Sequence, residues 1–565
     1  MTLAPEAASA ASVPDAERVP AIRYAPRGRG GDDRLIVGLT VAAMSFFEAY
    51  MRATAPAAVV AYVRDAASLA AMREHAAAIG CDPERLVGVL PPDRGALAGS
   101  GAVLMQDPAL AAEAALRPDP RAYSLIGVTH SLSSRESWRE ILNYPRAPLQ
   151  PWDAIVCTTR AARAVVDGLL DAADETARGA GLRTPLPRPA RPIVPLGVDA
   201  GAFAADPARR VAWRARHAVA DDEVAVLFLG RLSLHAKAHP YALVAACAEA
   251  AGDVAAPLRL VFAGQFAKPP IRIAFQGLAD AFAGRVRVSF IESPSDEERR
   301  DALSGADIFA SFADSIQETF GLAPVEAMAS GLPVVITDWD GYRDTARHGI
   351  EGFRVPTLMA PPPAADGALR SYVEGGINYD RFCAVLGQLV AVDIRAAASA
   401  IRVLANEPER RRAMGAAGVA RVRATYDWPV VMGMWRQLWK AMEERRRTRP
   451  AAAAVNLPPV PRPDPLTLFR TFPTRRLGPS DRLTLGPEAT AATIHALYEM
   501  PAFRYAFAHL PAPARIVEIA EMLAAVPGVD TRSFLAGLPE DRRAEALRVV
   551  LFLAKRDLLA VAAGR

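Results

Sequence analysis

QETFGLAPVEAMASGLPVV, residues 317–335, is the stretch of sequence that decides the fold of this chain. Gly321 permits a tight turn, and a helix is predicted to begin near Leu322 because Pro324 is tolerated in a first helical turn. Gly331 then ends the helix, and the following Pro-Val-Val starts a strand. A strand end, a glycine turn, a helix and a new strand in this order are typical of a parallel α/β unit.

The same segment predicts a binding site. The free N–H groups and the positive dipole end of the helix form an anion site that suits a diphosphate. Glu318 lies just before this end, and Glu326 lies at least one turn inside the helix. A carboxylate cannot bind phosphate, but it can accept hydrogen bonds from sugar hydroxyls. Two glutamates eight residues apart also occur by chance as solvated helix residues, and the surrounding glycine, helix and strand favour the functional interpretation.

Outward from this segment, short apolar runs alternate with helical stretches on both sides of a Pro-rich connector, RPARPIVPLGVD. Strands that alternate with helices predict a parallel sheet covered on both faces. Two such series predict two Rossmann-like domains that face each other across a cleft. The predicted strands are LIVGLTV, AVVAYV, AYSLIGVTH and DAIVCTT in the first series, and EVAVLFLG, LRLVFAG, VRVSFIE, IFASF and PVVIT in the second.

The predicted fold class is therefore α/β, with a small, mainly helical domain added at the C-terminus. We expect a late helix near Tyr426 and Trp428 to cross back from the second domain to the first. The predicted segments are a disordered leader (1–31), an N-terminal Rossmann-like domain (32–197), a C-terminal Rossmann-like domain (198–445), a linker (446–465) and a small helical domain (466–565).

Composition excludes several classes of protein. The 565 residues carry a net charge of only +4 with acids and bases well mixed, so we expect no nucleic-acid partner. The four cysteines form no C-x-x-C pair, which argues against a zinc site or a disulfide framework. No window approaches the roughly 20 apolar residues of a membrane-spanning helix. We expect a cytoplasmic protein, and peripheral contact with the inner face of the membrane through a lipid-linked acceptor stays open.

The stretch from about Leu227 to Tyr426 resembles the C-terminal domain of the family 4 glycosyltransferases, which are retaining enzymes of the GT-B fold. The N-terminal half resembles this family more loosely, through GVTH, DAIVCTTRAAR and PLGVD. The resemblance implies transfer of a hexosyl unit from a nucleotide-diphosphate sugar to a saccharide, a glycolipid or another hydroxyl acceptor, without a metal ion or cofactor. The closest motifs are FLGRL with a following lysine, LVFAG, DIFASFADSIQETFGLAPVEAMASGLPVVITDWDGYRD, GFRVP and ERRRAMGAAGVARVRATYDW.

The resemblance also implies roles for single residues in the 317–335 segment. Glu318 would contact the hydroxyls of the transferred sugar, and Glu326 would bind the ribose of the nucleotide. The distal phosphate would be held by the backbone N–H groups of Phe320, Gly321 and Leu322.

Two cations are implied for the diphosphate. Gly230 and Arg231 follow the first strand of the second domain, and Lys237 comes six residues after Arg231. Fixed positive charge is what a leaving diphosphate requires. The family more often spaces this pair by five residues, and the alternative is that both are ordinary surface cations. His130, at a predicted strand end, would face the sugar from the other domain, although a lone histidine is otherwise more often structural.

Two features depart from a simple match. Asp338-Trp339-Asp340 fits a metal-binding D-x-D pattern, but its place after the PVVIT strand favours a solvated or loop-capping role. The family also has glycines in the loop after its first strand. Here VGLTVAAMSFFEAYMRA offers Gly38 alone near that point, so either the acceptor side is remodelled or the alignment there is incorrect.

Without a placed carboxylate nucleophile, the expected mechanism is a front-face route in which the leaving phosphate accepts the proton of the acceptor. The alternatives are a catalytically silent GT-B scaffold that acts as a binding module, and a sugar-nucleotide epimerase on the same fold. The 466–565 unit is expected either to pack against the rest of the chain or to dock a protein partner.

Overall fold

The computed structural model describes residues 18–23, 38–179, 181, 188–452, 464–504 and 510–564. In these ranges the N-terminal domain contains one parallel sheet of six strands, in the order β3-β2-β1-β4-β5-β6. Helices cover both of its faces, as the alternating sequence predicted. The elements are β1 (Ala21–Arg23), α1 (Gly38–Ala53), β2 (Val59–Tyr62), α2 (Ala66–Ala78), β3 (Leu86–Val89), β4 (Ala102–Met105), α3 (Leu110–Leu116), β5 (Ser124–Val128), α4 (Arg135–Leu142), β6 (Ala154–Val156) and α5 (Arg160–Gly179).

The start of this domain corrects two predictions. Residues 18–23 were assigned to the disordered leader, yet β1 lies at the centre of the sheet and pairs with both β2 and β4. LIVGLTV was assigned as the first strand, and its described part instead begins α1. The strand signal was weak because β1 has only three residues and follows Pro20. The rest of the predicted leader lies outside the described residues.

The second domain repeats the architecture. Its described residues hold a second parallel sheet of six strands, in the order β12-β11-β10-β7-β8-β9, and the five strands predicted for it are confirmed. The elements are α6 (Pro207–Arg216), β7 (Val224–Leu229), α7 (Pro240–Ala251), β8 (Leu258–Gly264), α8 (Pro269–Phe282), β9 (Arg287–Glu292), α9 (Asp296–Gly305), β10 (Ile308–Ser311), α10 (Leu322–Ala329), β11 (Val334–Thr337), α11 (Tyr342–Thr345), β12 (Gly352–Val355), β13 (Thr357–Met359), α12 (Asp366–Glu374), α13 (Tyr379–Gly387), β14 (Val390–Val392), α14 (Ile394–Asn406) and α15 (Pro408–Thr425).

A long helix then returns to the N-terminal domain. This helix, α16 (Trp428–Thr448), packs against α1, where the ring centroids of Phe46 and Trp435 lie 5.0 Å apart. The indole N–H of Trp428 donates to Oγ of Ser45 at 2.8 Å. The helix continues past residue 445, where the second domain was predicted to end, and most of the predicted linker (453–463) lies outside the described residues.

The last unit follows from residue 464. The run RAEALRVVLFLAKRDLLAVA (543–562) was predicted to be helical, and this is partly wrong: the helix ends at Ala554, and Leu559–Ala562 form a strand antiparallel to β16. No described helix of the chain is long and apolar enough to cross a lipid bilayer. The elements of this unit are α17 (Pro465–Leu468), β15 (Arg475–Arg476), β16 (Arg482–Leu485), α18 (Ala491–Glu499), α19 (Pro501–Arg504), α20 (Pro513–Ala525), β17 (Val529–Asp530), α21 (Thr531–Ala536), α22 (Glu540–Ala554) and β18 (Leu559–Ala562).

Candidate active site in the cleft

A cavity of about 330 Å³ lies between the two Rossmann-like domains. Its wall on the N-terminal domain includes Val41 at the start of α1 and His130 after β5. On the other domain the lining residues follow β7, β8, β9 and β10. The carboxyl ends of parallel strands open to the same edge of a sheet, where α/β proteins bind ligands. The cavity brings together all nine site residues predicted from the sequence, namely His130, Gly230, Arg231, Lys237, Glu318, Phe320, Gly321, Leu322 and Glu326.

The turn before α10 depends on a glycine. Gly321 has a φ of +97°, and a Cβ at this position would lie 2.3 Å from the ring of Tyr342. Any side chain would therefore be strained in its backbone and would displace a buried tyrosine. The close approach leaves the start of α10, at Leu322 and Ala323, open to the cavity. The geometry provides unpaired helix N–H groups where an anion can enter.

Lys237 and Glu318 form an ion pair at the floor of the cavity. Nζ of Lys237 lies 2.6 Å from Oε2 of Glu318, which is buried. Burial opposes the charge of Glu318. The ammonium of Lys237 and the backbone N–H groups of Phe320 and Thr319 outweigh that effect, so the pKa of this carboxyl is below its usual value. Glu318 is therefore a carboxylate at neutral pH, and the side chain of Lys237 beside it is partly exposed to the cavity.

Arg231 comes directly after a point where two strand ends approach each other closely. A Cβ on Gly264 would lie 1.7 Å from the carbonyl oxygen of Gly230, so the ends of β7 and β8 approach each other only because residue 264 has no side chain. The guanidinium of Arg231 donates to Oε1 of Gln317 at 3.4 Å. Two cations, Arg231 and Lys237, thus line the same cavity as the start of α10.

Glu326 has a partner that sequence reasoning missed. Nη2 of Arg299, in α9, donates to Oε2 of Glu326 at 2.9 Å, and both side chains line the cavity. The charge of Glu326 raises the pKa of Arg299, so the guanidinium keeps its charge beside this carboxyl group. Arg299 gave no signal of its own because it lies in the charged run DEERRD, where an exposed arginine is the ordinary expectation.

His130 reaches the cavity from the opposite domain. One ring nitrogen bonds the backbone of Gln106, and Nε2 has no partner among the described residues. Burial lowers the pKa of His130 to about 4, although Asp107 and the bond to Gln106 act in the other direction. The imidazole is therefore neutral at pH 7, with an acceptor nitrogen available to the cavity.

Both aspartates of the D-x-D pattern are largely buried, so the solvated role expected for them is wrong. Asp338 faces the guanidinium groups of Arg343 and Arg354, at 3.6 Å and 3.4 Å. Asp340 is buried, and this burial together with the nearby charge of Glu318 holds its pKa well above the usual range. Over the residues that the structure describes, no three His, Cys, Asp or Glu side chains cluster in a way that could hold a metal ion.

The position of β1 also explains the apparent departure on the acceptor side. The segment that follows the first strand is residues 24–37, not the stretch after Gly38. This segment contains Gly28, Gly30 and Gly31 in the sequence PRGRGG, although it lies outside the described residues. The glycines were therefore assigned to the leader because the first strand was placed too late in the chain.

Comparison with known families agrees with this geometry. Residues 210–367 match the family model described as "Glycosyl transferases group 1". The chain is 28% identical over 228 residues to a D-inositol 3-phosphate glycosyltransferase of Rhodococcus erythropolis, covering 33% of this chain and 50% of that protein. It is 30% identical over 258 residues to a GDP-mannose-dependent alpha-(1-6)-phosphatidylinositol dimannoside mannosyltransferase of Mycobacterium tuberculosis, covering 45% and 58%. The chain thus spans about half the length of these curated relatives.

Solved structures share the architecture. A glycosyltransferase from Rickettsia africae superposes with a TM-score of 0.52 at 12% identity, covering 76% of this chain and 99% of that one. HepE of Anabaena, solved in complex with UDP, superposes with a TM-score of 0.50 at 13% identity, covering 75% and 100%. At this level of identity the likeness establishes the fold alone. The predicted GT-B fold is confirmed.

Proposed function

We propose that this chain, whose residues 210–367 match the group 1 glycosyl transferases, moves a hexosyl unit from a nucleotide-diphosphate sugar to a hydroxyl acceptor with retention at the anomeric carbon. One observation carries the proposal: the Lys237–Glu318 ion pair, Arg231 and the open start of α10 line one cavity between the two domains. That arrangement combines fixed positive charge for a diphosphate with a carboxylate for sugar hydroxyls.

The donor would lie along the C-terminal domain. Arg231 and Lys237 would hold the diphosphate, together with the N–H groups of Gly321 and Leu322, which the dipole of α10 favours. The N–H of Phe320 was predicted to share this role, but it already donates to Glu318. Glu326, oriented by Arg299, would accept hydrogen bonds from the ribose hydroxyls. Glu318 would accept hydrogen bonds from the sugar that is transferred.

The chemistry would follow a front-face route. The bond from the anomeric carbon to the diphosphate breaks, and the acceptor oxygen bonds that carbon from the same face. A phosphate oxygen takes the acceptor proton, so the nucleoside diphosphate leaves and no enzyme group changes its charge. His130 is neutral and its buried Nε2 has no partner among the described residues, which suits it to accept a hydrogen bond from a sugar hydroxyl rather than to act as a cation. The transition state would be oxocarbenium-like, as in other glycosyl transfers.

The acceptor and the setting are further parts of the proposal. The names of the relatives point to inositol phosphate and phosphatidylinositol mannosides, so we propose a polar saccharide or a lipid-linked glycan as the acceptor. A lipid-linked acceptor would be met at the inner face of the membrane by a cytoplasmic protein. We also propose that the reaction needs no metal ion, which predicts full activity after treatment with EDTA.

The test is nucleotide release from UDP-, GDP- and ADP-sugars, with Glu318→Ala as the variant and Glu292→Ala, at the exposed end of β9, as its matched control. Thermal shift with UDP, GDP and ADP identifies the base first, because a bound ligand raises stability with the logarithm of its occupancy. We expect nucleotide release that depends on the sugar donor and that Glu318→Ala abolishes. We also expect NMR to show an α-linked product from an α-linked donor. A nucleotide that binds without any turnover would instead indicate a silent binding scaffold, and a β-linked product would exclude retention.

A further inference from the structure

The C-terminal unit, of which residues 464–504 and 510–564 are described, packs on the donor domain rather than standing apart from it. Strand β15 adds to β13 of that domain in parallel register, with Leu358 opposite Arg475. Buried side chains of the unit, such as Leu466 and Phe469, belong to the same hydrophobic core as Met359 of β13. Two other contacts of this unit reach loops that line or flank the candidate active site.

The first contact is a buried ion pair. The ammonium of Lys555 bonds the carboxylate of Asp314, which follows β10, and it donates to the carbonyl of Val390 at 3.0 Å. The other carboxylate oxygen of Asp314 accepts the backbone N–H of His239 at 3.1 Å. The ring of His239 stacks on Phe503 of the same C-terminal unit, with centroids 4.9 Å apart.

This pair connects directly to the donor-binding loops. His239 is two residues beyond Lys237, and Asp314 precedes Ser315, whose hydroxyl donates to the carbonyl of His235 at 2.6 Å. The 231–239 segment and the 314–321 segment are thus joined to each other and to Lys555. They are the two segments that contribute Arg231, Lys237, Glu318 and Gly321 to the cavity.

The second contact lies under the Gly321 turn. The carbonyl of Phe472 accepts the backbone N–H of Asp340 at 2.9 Å, and the ring of Phe472 packs edge-on against Trp339 at 5.5 Å. The indole N–H of Trp339 donates to the carbonyl of Ser315 at 3.1 Å. Residues on both sides of Phe472 accept hydrogen bonds from Arg343. The C-terminal unit therefore reaches the 314–321 segment from a second direction.

A buried ion pair is a poor source of stability, because apolar residues of the same size often stabilise a core as well or better. Its better-attested use is to fix one arrangement among several. Lys555 and Asp314 are both buried, at 4% and 6% side-chain exposure, so a shift of either loop would separate two charges from each other without access to water. Such a pair restricts the loops to one geometry.

We propose that residues 464–564 are a positioning module for the donor site, in which Lys555, through Asp314, and Phe472, through Asp340, hold the 231–239 and 314–321 segments in the conformation that binds the diphosphate. Lys555 is thus a positioning residue and does not touch the substrate. The ligand named here rests on the proposed function, whereas the restraint on the two segments does not.

The test uses the full chain with Lys555→Met, the charge-conserving Lys555→Arg, and Arg395→Met as the matched control. Arg395 also pairs with the C-terminal unit, through Asp557 at 3.5 Å, but it is 76% exposed and lies on α14, away from both segments. We measure amide hydrogen exchange across residues 231–240 and 314–322, the Kd for the nucleoside diphosphate found by thermal shift, and KM for the donor against kcat.

Lys555→Met is expected to speed exchange severalfold in those two segments, but not in β2 or β5 of the N-terminal domain. It should raise the Kd and KM roughly tenfold with little change in kcat, since the lost restraint acts on donor binding. Lys555→Arg should restore part of the affinity, and Arg395→Met should match the wild type.

Should Lys555→Met fail to fold, the double variant Asp314→Asn/Lys555→Met removes both charges, and the Asn oxygen can still accept from His239. It should show the same rise in exchange. Unchanged exchange and Kd in a variant that has merely lost thermal stability would overturn the inference. If the wild type binds no nucleotide, the proposed function fails, and hydrogen exchange alone still decides whether the unit positions the loops.

Discussion

Nζ of Lys237 lies 2.6 Å from Oε2 of Glu318, so the cation proposed for the diphosphate and the carboxylate proposed for the sugar form one charge pair. Glu318 is buried, whereas Lys237 is partly open to the cavity. Removing either charge leaves the other without its ion-pair partner. The pair therefore has to be studied as a unit.

A double-mutant cycle on this pair should show strong coupling in the free energy of unfolding. We expect Lys237→Met to destabilise the protein by roughly 2 kcal/mol, because it leaves a buried carboxylate without its partner. The double variant with Glu318→Gln should lose much less than the sum of the single variants. The exposed pair Arg272–Glu292, at 2.7 Å, is the control and should couple by about 0–1 kcal/mol. Additive losses at Lys237 and Glu318 would contradict the ion pair.

Glu318→Gln should separate sugar transfer from nucleotide binding. The amide keeps the size of the side chain but loses the negative charge that the proposal assigns to the transferred sugar. We expect kcat to fall on the order of 10²-fold, while the Kd of the nucleoside diphosphate, which lacks that sugar, stays within about threefold. Steady-state kinetics and calorimetry measure the two quantities. An equal loss in both would show that Glu318 acts on nucleotide binding through Lys237, and not on the transferred sugar.

His130 should make stability depend on pH in mildly acidic solution. The pKa of His130 is lowered to about 4 by burial, whereas an unfolded histidine titrates near 6.5. Between these values the unfolded state binds more protons, so the free energy of unfolding falls as the pH falls. At pH 5 the loss should reach at most about 2 kcal/mol relative to pH 7.5.

Urea denaturation of the wild type and of His130→Gln at both pH values tests this expectation. The variant should lose less stability on acidification than the wild type does. His348→Gln, at an exposed histidine, should follow the wild type. An identical pH dependence in His130→Gln and the wild type would show that His130 is not held neutral by the fold.

We expect Glu326 to recognise the ribose hydroxyls of the nucleotide. The wild type is expected to bind a 2′,3′-dideoxy analogue of its nucleoside diphosphate roughly tenfold more weakly, because hydrogen bonds to a charged acceptor are lost. Glu326→Gln should bind both nucleotides weakly and discriminate less between them. If Arg299 only orients Glu326, the ratio of the two affinities in Arg299→Met should lie between the ratios of the wild type and of Glu326→Gln. Calorimetry provides the affinities. If Glu326→Gln still discriminates between the two nucleotides as well as the wild type does, Glu326 does not bind the ribose.

The donor side of the site was predictable because its residues lie close together in sequence and each carries a local signal. Gly321 marks the turn, the helix start follows it, and Arg231 and Lys237 come directly after a strong apolar strand. These features depend on backbone geometry and charge within short segments. The structure places all of them in one cavity.

Other parts could not be predicted because they depend on contacts distant in sequence. Arg299 meets Glu326 only after α9 and α10 pack side by side. The three-residue strand β1 is stabilised by β2 and β4 on its two sides, and neither neighbour is visible from Ala21–Arg23 alone. Lys555 pairs with Asp314 across 241 residues, so the C-terminal unit looked like an independent domain.

Helix α16 has a consequence for the design of chimeric proteins. Phe46 and Phe47 of α1 share one hydrophobic core with Trp428 and Trp435, which come from the far end of the second domain in sequence. A domain exchange with a cut near residue 197 would leave this aromatic surface of the N-terminal domain open to water and prone to aggregation. The exchangeable N-terminal module is therefore discontinuous, and a graft has to carry residues 428–448 along with it.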